Sequence, residues 1–389
     1  MALLRKKNLE PITKMKNNPR KINVNRLKRL FKRMVDIYSP SGKEEELVDY
    51  LRGYFKRQGL PILLQEVDEN RNNILVIPAE DNNVQVAMIG HLDTVPAYEL
   101  EEYGYSEQGD IIKGLGVADM KGGCAAMVEA YLSIWNAGYR NLPVALCLVV
   151  GEEEAGDGAL KLIKHNHFPW AIIGEPTDLK PCLSHYGYIE IQISTGGKRV
   201  HASIASATSN TVQVLLNVLL RVSQHIQFNR PELGFNMRDL YSSQSGFASP
   251  NYCEAWLDLH VPPSYSIGEI VTEVEEIVIE ENNKYKTIDV EYRFANITGG
   301  FELPEKGSVV NALRSVFKQQ ALDWSPESFK SHSDANQLWS AGVKTLLLGP
   351  GEIRYAHAPQ EAISFKQVVK AAEIYSDFIF EYVTNYLES

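Results

Sequence analysis

The chain has 389 residues, of which 44% are apolar and 23% are charged, and its formal net charge is −10. This length favours two domains, and the composition is that of a soluble globular protein. The acidic balance argues against nucleic acid or an anionic membrane as a partner, and no apolar run reaches the roughly 18 residues that a membrane span needs.

The N-terminal stretch, residues 1–24, is basic but lacks the apolar core of a signal peptide. We interpret it as an extension ahead of the first domain. The 4 cysteines are scattered, and no close pair of them indicates a structural zinc site. Cys124 and Cys147 lie in apolar segments and are expected to be buried thiols. This use of cysteine is typical of a reducing compartment, so we expect a cytoplasmic protein.

Two helices are predicted at the start of the first domain. Residues 25–35 place apolar side chains at helical spacing. Residues 44–58 begin with acidic side chains, which favour the N-terminus of a helix. A Ser-Pro-Ser-Gly break separates the two, and we expect Ser41 to cap the second helix.

Buried strands are predicted where apolar runs stop abruptly at polar residues. The run 84–89 is apolar on both faces, which is typical of a strand that is covered on both sides. Similar runs lie at 144–150, 171–173 and 344–348. The acids and histidines that follow these runs are His91, Asp93, Glu152, Glu153, Glu154, Glu175 and His357.

These polar residues are expected to meet at one edge of a sheet, because ligands of open α/β sheets lie beyond the carboxyl ends of the strands. His91 and Asp93 can face the same site, since alternate residues of extended chain point to one side. Asp119 precedes a helix that starts near Lys121 and is a further candidate. Each residue alone has an ordinary structural explanation, such as a helix cap for Asp93. So many carboxylates together would repel each other without a cation, and the pattern therefore predicts a metal-dependent hydrolase.

The pattern changes after Glu175, where two strand–helix units are predicted within about 110 residues. Strands are predicted at 188–194, 253–261 and 287–294, and helices at 208–225 and 267–280. In the first of these strands, Ile189, Ile191 and Ile193 share one face. This order predicts a small sheet with one face covered by two helices, inserted into the first domain.

Several motifs resemble those of a known family, in the same order along the chain. They are His91-Leu92-Asp93, Gly116–Gly123, Glu153-Glu154-Ala155-Gly156, Gly174–Thr177 and His357–Glu361. The family is that of the dinuclear-zinc aminoacylases and carboxypeptidases, which includes acetylornithine deacetylase, succinyl-diaminopimelate desuccinylase and carboxypeptidase G. The resemblance implies an α/β fold class: a zinc-hydrolase domain with a central mixed sheet flanked by helices, and an inserted α+β lid that dimerises. The hydrolase domain would comprise residues 25–185 and 296–389, and the lid residues 186–295.

The resemblance also implies a cofactor and a set of roles. The cofactor is two Zn²⁺ per chain, with Co²⁺ or Mn²⁺ as possible substitutes. The implied metal ligands, of which Asp119 would bridge both ions after a cis peptide bond, are His91, Asp119, Glu154, Glu175 and His357. Glu153 would be the general base and Asp93 the acid that orients His91. His201 resembles the lid histidine that reaches the active site of the partner subunit and stabilises the oxyanion.

The chain departs from the family pattern where substrate would bind. Asp258-Leu259-His260 stands in place of Asp-x-Arg, so the arginine expected to bind a substrate carboxylate is missing. Ser331-His332-Ser333-Asp334 stands in place of Gly-Thr-Ser-Asp. The candidate substrate-binding residues are therefore His260, Ser333 and Arg354, the last of which resembles a basic position of the acetyl-lysine and acetylornithine deacetylase branch.

The implied function is hydrolysis of an amide, with an acyl group removed from an N-acyl amino acid such as acetylornithine or acetyl-lysine. A dipeptidase or carboxypeptidase of the same family is the alternative, because no residue separates these activities. A third reading is a metal-binding module without catalysis, against which the intact ligands and general base argue. The expected partners are a small N-acyl amino acid or short peptide and, through the lid, a second copy of the chain.

Overall fold

The structure is a computed structural model and describes residues 21–77, 84–99 and 103–388. Most of the predicted N-terminal extension, residues 1–20, lies outside the described residues. The chain forms two compact units. The first comprises Met1–Pro181, Glu305–Ser325 and Leu347–Ser389, and the second comprises Cys182–Pro304 and Pro326–Leu346. Within the described residues, no helix is long and apolar enough to cross a membrane.

A mixed sheet forms the centre of the first unit. The strands of this unit before residue 181 are β1 (Leu63–Asp68), β2 (Arg71–Val76), β3 (Val86–His91), β4 (Ser106–Gln108), β5 (Ile111–Lys113), β6 (Val144–Val149) and β7 (Trp170–Ile173). The sheet has the order β1-β2-β6-β3-β7, in which β2 is antiparallel to its neighbours and β3 is parallel to β6 and β7. Near the end of the chain, β16 (Ala362–Ser364) joins β5 and β4 in a separate antiparallel sheet.

Helices cover the central sheet. They are α1 (Val24–Asp36), α2 (Glu45–Arg57), α3 (Gly122–Asn136), α4 (Asp157–His165), α7 (Ser308–Gln319) and α9 (Phe365–Glu388). The bounds of α1 and α2 agree with the prediction to within one residue. Every residue of β3, β6 and β7 is buried, as expected for strands that are covered on both faces. The fold class predicted for this part of the chain, α/β with a mixed sheet, is confirmed.

The prediction that Ser41 caps α2 is wrong. The helix starts after Glu44 without a side-chain cap. The chain around Ser41 instead runs beside the end of β3, where Ser41 N–H donates to the carbonyl of Thr94. This pairing points the Ser41 hydroxyl at Asp93, to which it donates a hydrogen bond of 2.7 Å.

The second unit contains a four-stranded antiparallel sheet with two helices on one face. Its elements are β9 (Gly187–Gly197), α5 (Thr211–Asn229), β10 (Gly234–Ser242), β11 (Tyr252–Val261), α6 (Ile267–Asn282) and β12 (Ile288–Thr298). The strand order is β10-β11-β9-β12. Ile189, Ile191 and Ile193 are fully buried in a core that α5 and α6 complete. Each such side chain stabilises the fold by about 1.5–3 kcal/mol relative to exposure.

The rest of the second unit consists of short elements that flank this sheet in sequence. They are β8 (Cys182–His185), β13 (Phe301–Glu302), β14 (Glu327–Phe329), α8 (Asp334–Ser340) and β15 (Lys344–Leu347), whose last residue is counted with the first unit. β8 pairs with β13 and with β14. The unit therefore contains the whole of the predicted lid segment, 186–295, together with residues on both sides of it.

Candidate metal centre

The first unit brings acids and histidines together beyond the ends of its strands. His91 ends β3, and Glu175 follows β7. The glutamates that begin at Glu152 follow β6. Asp119 lies just before α3, and His357 lies in the loop before β16. This is the edge at which open α/β sheets hold their ligands.

His91 is 1% exposed, and its two ring nitrogens have different surroundings. Nδ1 lies 3.0 Å from the backbone oxygen of Asp93, so we assign the proton of a neutral ring to this nitrogen. Nε2 faces three carboxylates, at 3.1 Å from Asp119, 3.8 Å from Glu152 and 3.9 Å from Glu175. In a neutral ring this hydrogen bond to a carbonyl would leave the lone pair of Nε2 available to a metal ion on the side of the carboxylates, as in a metal-binding histidine.

Asp119 faces both histidines of the group. It lies in an irregular turn, Val117–Lys121, in which the Asp119–Met120 peptide bond is cis, as predicted. Oδ1 lies 3.1 Å from Nε2 of His91, and Oδ2 lies 3.6 Å from Nε2 of His357. A carboxylate whose two oxygens face different histidines has the arrangement of a bridging ligand.

The turn after β6 brings two of the three glutamates into the group. Gly151 has a φ of +77°, a conformation that favours glycine. Its carbonyl accepts hydrogen bonds from the backbone N–H groups of Ala155 and Gly156. The Glu153 side chain is 6% exposed and lies 2.8 Å from Nε2 of His357. The Glu152 side chain is 10% exposed and faces His91.

Glu154 does not join the group, although the resemblance implied that it binds metal. Its side chain is exposed, and the structure places Glu153 among the candidate ligands instead. The reason is non-local. The carboxylate of Asp93 accepts hydrogen bonds from the backbone N–H groups of Glu152 and Glu153, at 3.2 and 3.0 Å. These bonds hold the first two glutamates at the strand end, and the turn carries the third outward.

Asp93 therefore anchors the glutamate turn. Its side chain is fully buried and also accepts the hydroxyl of Ser41. Its Oδ1 lies 3.6 Å from Nδ1 of His91, farther than the 3.0 Å from that nitrogen to the backbone oxygen of Asp93. The predicted orientation of His91 by this residue is thus made chiefly through the backbone carbonyl.

A second buried acid, Glu361, accepts hydrogen bonds from the backbone N–H groups of Gly116, Ala118 and Asp119. Burial raises the pKa of Glu361 to about 7, although the three donors favour the ionised form. The buried Lys121 donates to the carbonyl of Ile37 at 3.0 Å, and burial lowers its pKa to about 8. Both residues support the turn that carries Asp119.

The electrostatics of the group are those of a cation site. Burial disfavours the charged form of His91, yet the hydrogen bond to Asp119 and nearby glutamates raise its pKa well above 6.5. Burial also opposes ionisation of Asp119, but the two imidazoles hold its pKa below the usual value. The hydrogen bond to Glu153 raises the pKa of His357 to about 9. Burial raises the pKa of Glu153, and His357 opposes that rise. The carboxylates thus need positive charge, which protonated imidazoles supply here and metal ions would supply when bound.

The donor atoms are close enough together to bind metal. Three sets have ligand atoms within 4.8 Å of one another, namely His91 with Asp119 and Glu175, Asp119 with Glu153 and His357, and His91 with Glu152 and Glu153. Imidazole nitrogens and carboxylate oxygens are ligands that Zn²⁺ takes in catalytic sites. The residues present therefore fit a metal centre.

The other predicted site residues lie outside this group. His201 is an exposed residue of the second unit, and its Nδ1 lies 2.8 Å from the hydroxyl of Ser203. Arg354, in the first unit, is exposed and pairs with Glu352 at 2.8 Å.

Ser333 and His260 lie in the second unit. Ser333 is 1% exposed, and its hydroxyl caps α8 and contacts Nε2 of His185 at 2.8 Å, so its hydrogen-bonding capacity is used inside the fold. This placement does not agree with the prediction that it binds substrate. His260 packs its ring against Tyr188, and its buried Nδ1 has no hydrogen-bond partner among the described residues.

No role at the site was predicted for Glu152, Glu361 or Ser41. Glu152 is the first of three adjacent glutamates, and the sequence alone cannot distinguish which of three identical neighbours faces the site. Glu361 ends the His357–Glu361 motif, and that spacing was the signal available for it. For Ser41, the local signal indicated a helix cap and was misleading.

Comparison with known proteins identifies the family. The model of peptidase family M20/M25/M40 matches residues 87–381. The chain belongs to this family. An acetylornithine deacetylase of Edwardsiella ictaluri is 26% identical over 356 residues, which cover 87% of this chain and 91% of that protein.

Solved structures share the fold. A tripeptidase of Staphylococcus aureus superposes with a TM-score of 0.76 at 18% identity, covering 93% of this chain and 99% of that one. A dinuclear metal-binding M20 peptidase of Bacillus subtilis gives a TM-score of 0.67 at 12% identity, covering 93% and 98%. The predicted family resemblance is confirmed, and the chain is a hydrolase of that family.

Proposed function

We propose that this protein removes the acyl group from an N-acyl amino acid, in the manner of an acetylornithine or acetyl-lysine deacetylase. The observation that carries the proposal is the convergence of His91, Asp119, Glu153, Glu175 and His357 around one cluster of donor atoms. Support for a deacetylase comes from the Edwardsiella ictaluri relative, which aligns over 91% of its length.

The donors divide into two sets of three that share Asp119. We assign one metal ion to His91, Asp119 and Glu175, and the second to Asp119, Glu153 and His357. Each ion would have three protein ligands, which leaves a position for water or substrate, as in catalytic zinc sites. Two Zn²⁺ per chain fit this donor set, and Co²⁺ and Mn²⁺ are candidate substitutes.

Glu152 is the general base in this proposal. When bound, the metal ions would polarise the acyl carbonyl and lower the pKa of a water molecule. Glu152 lies beside His91 but outside the two ligand sets, so its carboxylate can take a proton from the attacking water. It then delivers that proton to the leaving amine nitrogen. Asp93 holds Glu152 and Glu153 in their places through their backbone N–H groups.

We further propose that Arg354 contacts the substrate. It is the exposed cation on the loop that leads to His357, and its present partner, Glu352, is a single acid at the surface. Exposed pairs of this kind contribute little to stability, so the guanidinium can exchange partners at small cost. A carboxylate of the substrate would take the place of Glu352.

Assembly into a homodimer is proposed through the second unit. β10 lies at the edge of its sheet and exposes most of its residues. Beside it, α5 exposes apolar side chains on the same side, and the two elements line a groove of about 290 Å³. The exposed apolar residues of this β10–α5 surface are Leu216, Leu220, Met237 and Leu240. An edge strand of one copy can pair with the same strand of another, which would cover this surface.

A hydrolysis screen tests the function. Zinc- or cobalt-loaded protein is given N-acetyl-ornithine, N-acetyl-lysine, dipeptides and tripeptides, and release of free amine is measured, with Glu152→Gln as the blank. We expect turnover of the N-acetyl amino acids to exceed that of the peptides. The reverse order would identify a peptidase. Absence of turnover on every amide, with metal bound, would identify a binding module.

A further inference from the structure

Glu361 connects two segments of the candidate metal centre, residues 114–119 and the loop that carries His357. It is not itself one of the candidate metal ligands. Its side chain is 5% exposed. One carboxylate oxygen accepts the N–H of Gly116 at 2.6 Å, and the other accepts those of Ala118 and Asp119 at 2.7 and 3.0 Å. One buried side chain thus binds three donors of the turn that carries Asp119.

The turn that Glu361 binds is shaped to hold an anion. Gly116 has a φ of +75°, and a Cβ there would lie 2.5 Å from the side chain of Thr94. Successive N–H groups in such a conformation form a concavity that attracts negative charge. A neutral side chain in place of Glu361 would leave at least one buried N–H without an acceptor, at a cost in free energy.

The second segment that Glu361 connects is the loop that carries His357. Glu361 follows His357 by four positions in the sequence, and its own N–H donates to the carbonyl of Ala358 at 3.1 Å. The backbone N–H of Gly114 in turn donates to the carbonyl of Glu361 at 3.4 Å. Both the side chain and the backbone of Glu361 therefore join the His357 loop to residues 114–119.

We propose that Glu361 is a positioning residue that fixes the relative orientation of Asp119 and His357, and thereby the affinity of the centre for its metal ions. The inference rests on the proposed metal-dependent function. Asp119 is shared by two of the candidate ligand sets, one with His91 and one with His357, and its backbone N–H is one of the three that Glu361 holds. A shift of this turn would move the carboxylate that faces both histidines.

Glu129 provides a matched control. It is a fully buried glutamate of the same unit, and its carboxylate also accepts a backbone N–H, that of Asn23, at 2.7 Å. It pairs with Arg26 at 2.7 Å and contacts none of the candidate ligands. Glu129→Gln therefore perturbs a buried carboxylate without touching the metal centre.

The test compares Glu361→Gln with Glu129→Gln. Thermal unfolding of the metal-free proteins is measured first, then metal affinity by competition with a chelator, and the visible spectrum after loading with Co²⁺. We expect both substitutions to lower the melting temperature. Only Glu361→Gln should weaken metal binding, by about 10–100-fold, and change the Co²⁺ spectrum. Substitution of residues that orient metal ligands has an effect of this size on metal affinity. If Glu361→Gln does not fold, Glu361→Asp, which keeps the charge but has a shorter reach, replaces it with the same expectation.

Two results would overturn the inference. One is a folded Glu361 variant with the metal affinity and Co²⁺ spectrum of the wild type. The other is an equal loss of affinity in Glu129→Gln, which would make the effect one of general stability. A wild-type protein that binds no metal would instead overturn the proposed function itself, and chelator competition on the unmodified chain separates that failure from the other two.

Discussion

Asp93 accepts a hydrogen bond of 3.0 Å from the backbone N–H of Glu153, a residue 60 positions further along the chain. Together with the 3.2 Å bond from the backbone N–H of Glu152, this contact holds the turn in which two of three adjacent glutamates face the candidate metal centre. Because it holds the backbone rather than a side chain, it fixes the direction of Glu152 and Glu153 together. Glu154, one position on, is exposed.

The first prediction separates these glutamates by substitution. Glu153→Ala should lower the metal content, because it removes one of three proposed ligands of one ion. Glu152→Gln should keep both ions and lose turnover by about 10²–10⁴-fold, because a general base is removed. Glu154→Gln is the control and should match the wild type. Metal content and turnover are measured for all three variants. A metal-depleted Glu154→Gln beside a metal-replete Glu153→Ala would show that the register of the turn differs from the one described.

The second prediction concerns the anchor itself. Asp93→Ala should destabilise the fold by about 1–3 kcal/mol, because it leaves buried N–H groups of the glutamate turn without an acceptor. It should also lower turnover, since Glu152 loses its fixed position. Ser41→Ala removes a single donor to Asp93 and should have a smaller effect on both quantities. Urea unfolding and turnover are the measurements. A larger loss in Ser41→Ala than in Asp93→Ala would contradict the anchoring role.

The sequence was informative about elements and motifs but not about contacts between distant residues. The burial of β3 could be predicted because an apolar run without a polar face needs cover on both sides. Which of the three glutamates face the site could not be predicted, because this depends on Asp93. The carboxylate of Asp93 contacts the glutamate turn only in the folded chain. The wrong prediction for Ser41 has the same reason. The local sequence indicated a helix cap, but in the folded chain Ser41 pairs with the end of β3. Ser333 was predicted to bind substrate from its motif, whereas its hydroxyl is used by a helix cap and His185.

The third prediction is that acid weakens the second unit. Burial lowers the pKa of His185 to about 3 and that of His332 to about 4. Both stay neutral in the folded state, whereas the unfolded chain takes up protons below about 6.5. The free energy of unfolding should therefore be highest above pH 6.5 and fall as the pH drops towards 4. At pH 5 the loss should be about 2 kcal/mol per histidine.

Substitution of His332 isolates this effect. Its buried Nε2 has no hydrogen-bond partner among the described residues, so His332→Phe should cost little stability at pH 7. The variant should lose less stability than the wild type between pH 7 and pH 5 in urea unfolding. His165→Asn, at an exposed histidine of α4, is the control and should leave the pH dependence unchanged. An identical pH dependence in His332→Phe and wild type would refute the assignment to His332.

The fourth prediction concerns the β10–α5 surface. A double substitution, Leu220→Lys with Leu240→Lys, should convert a dimer to a monomer, because two charges would be buried at the interface. Both side chains are more than half exposed in the single chain, so the fold itself should be little affected. Phe228→Lys lies on the same helix but outside this surface, and it should leave the dimer intact. Sedimentation velocity measures the outcome. A wild-type chain that sediments as a monomer at every concentration would contradict the proposed assembly.

The last prediction tests whether His201 acts at the site of a partner subunit. His201 is exposed and far in sequence from every candidate ligand, and the family resemblance implies that it stabilises the oxyanion of the neighbouring copy. His201→Ala and Glu152→Gln should each be inactive alone, the first without an oxyanion donor and the second without a general base. When the two variants are mixed and allowed to exchange subunits, each hybrid dimer would contain one site with both His201 and Glu152, and part of the activity should return. The control for subunit exchange is a mixture of His165→Ala with Glu152→Gln, in which every chain keeps His201. If exchange is demonstrated by labelled subunits and the mixture of His201→Ala with Glu152→Gln stays inactive, His201 has no role across the dimer.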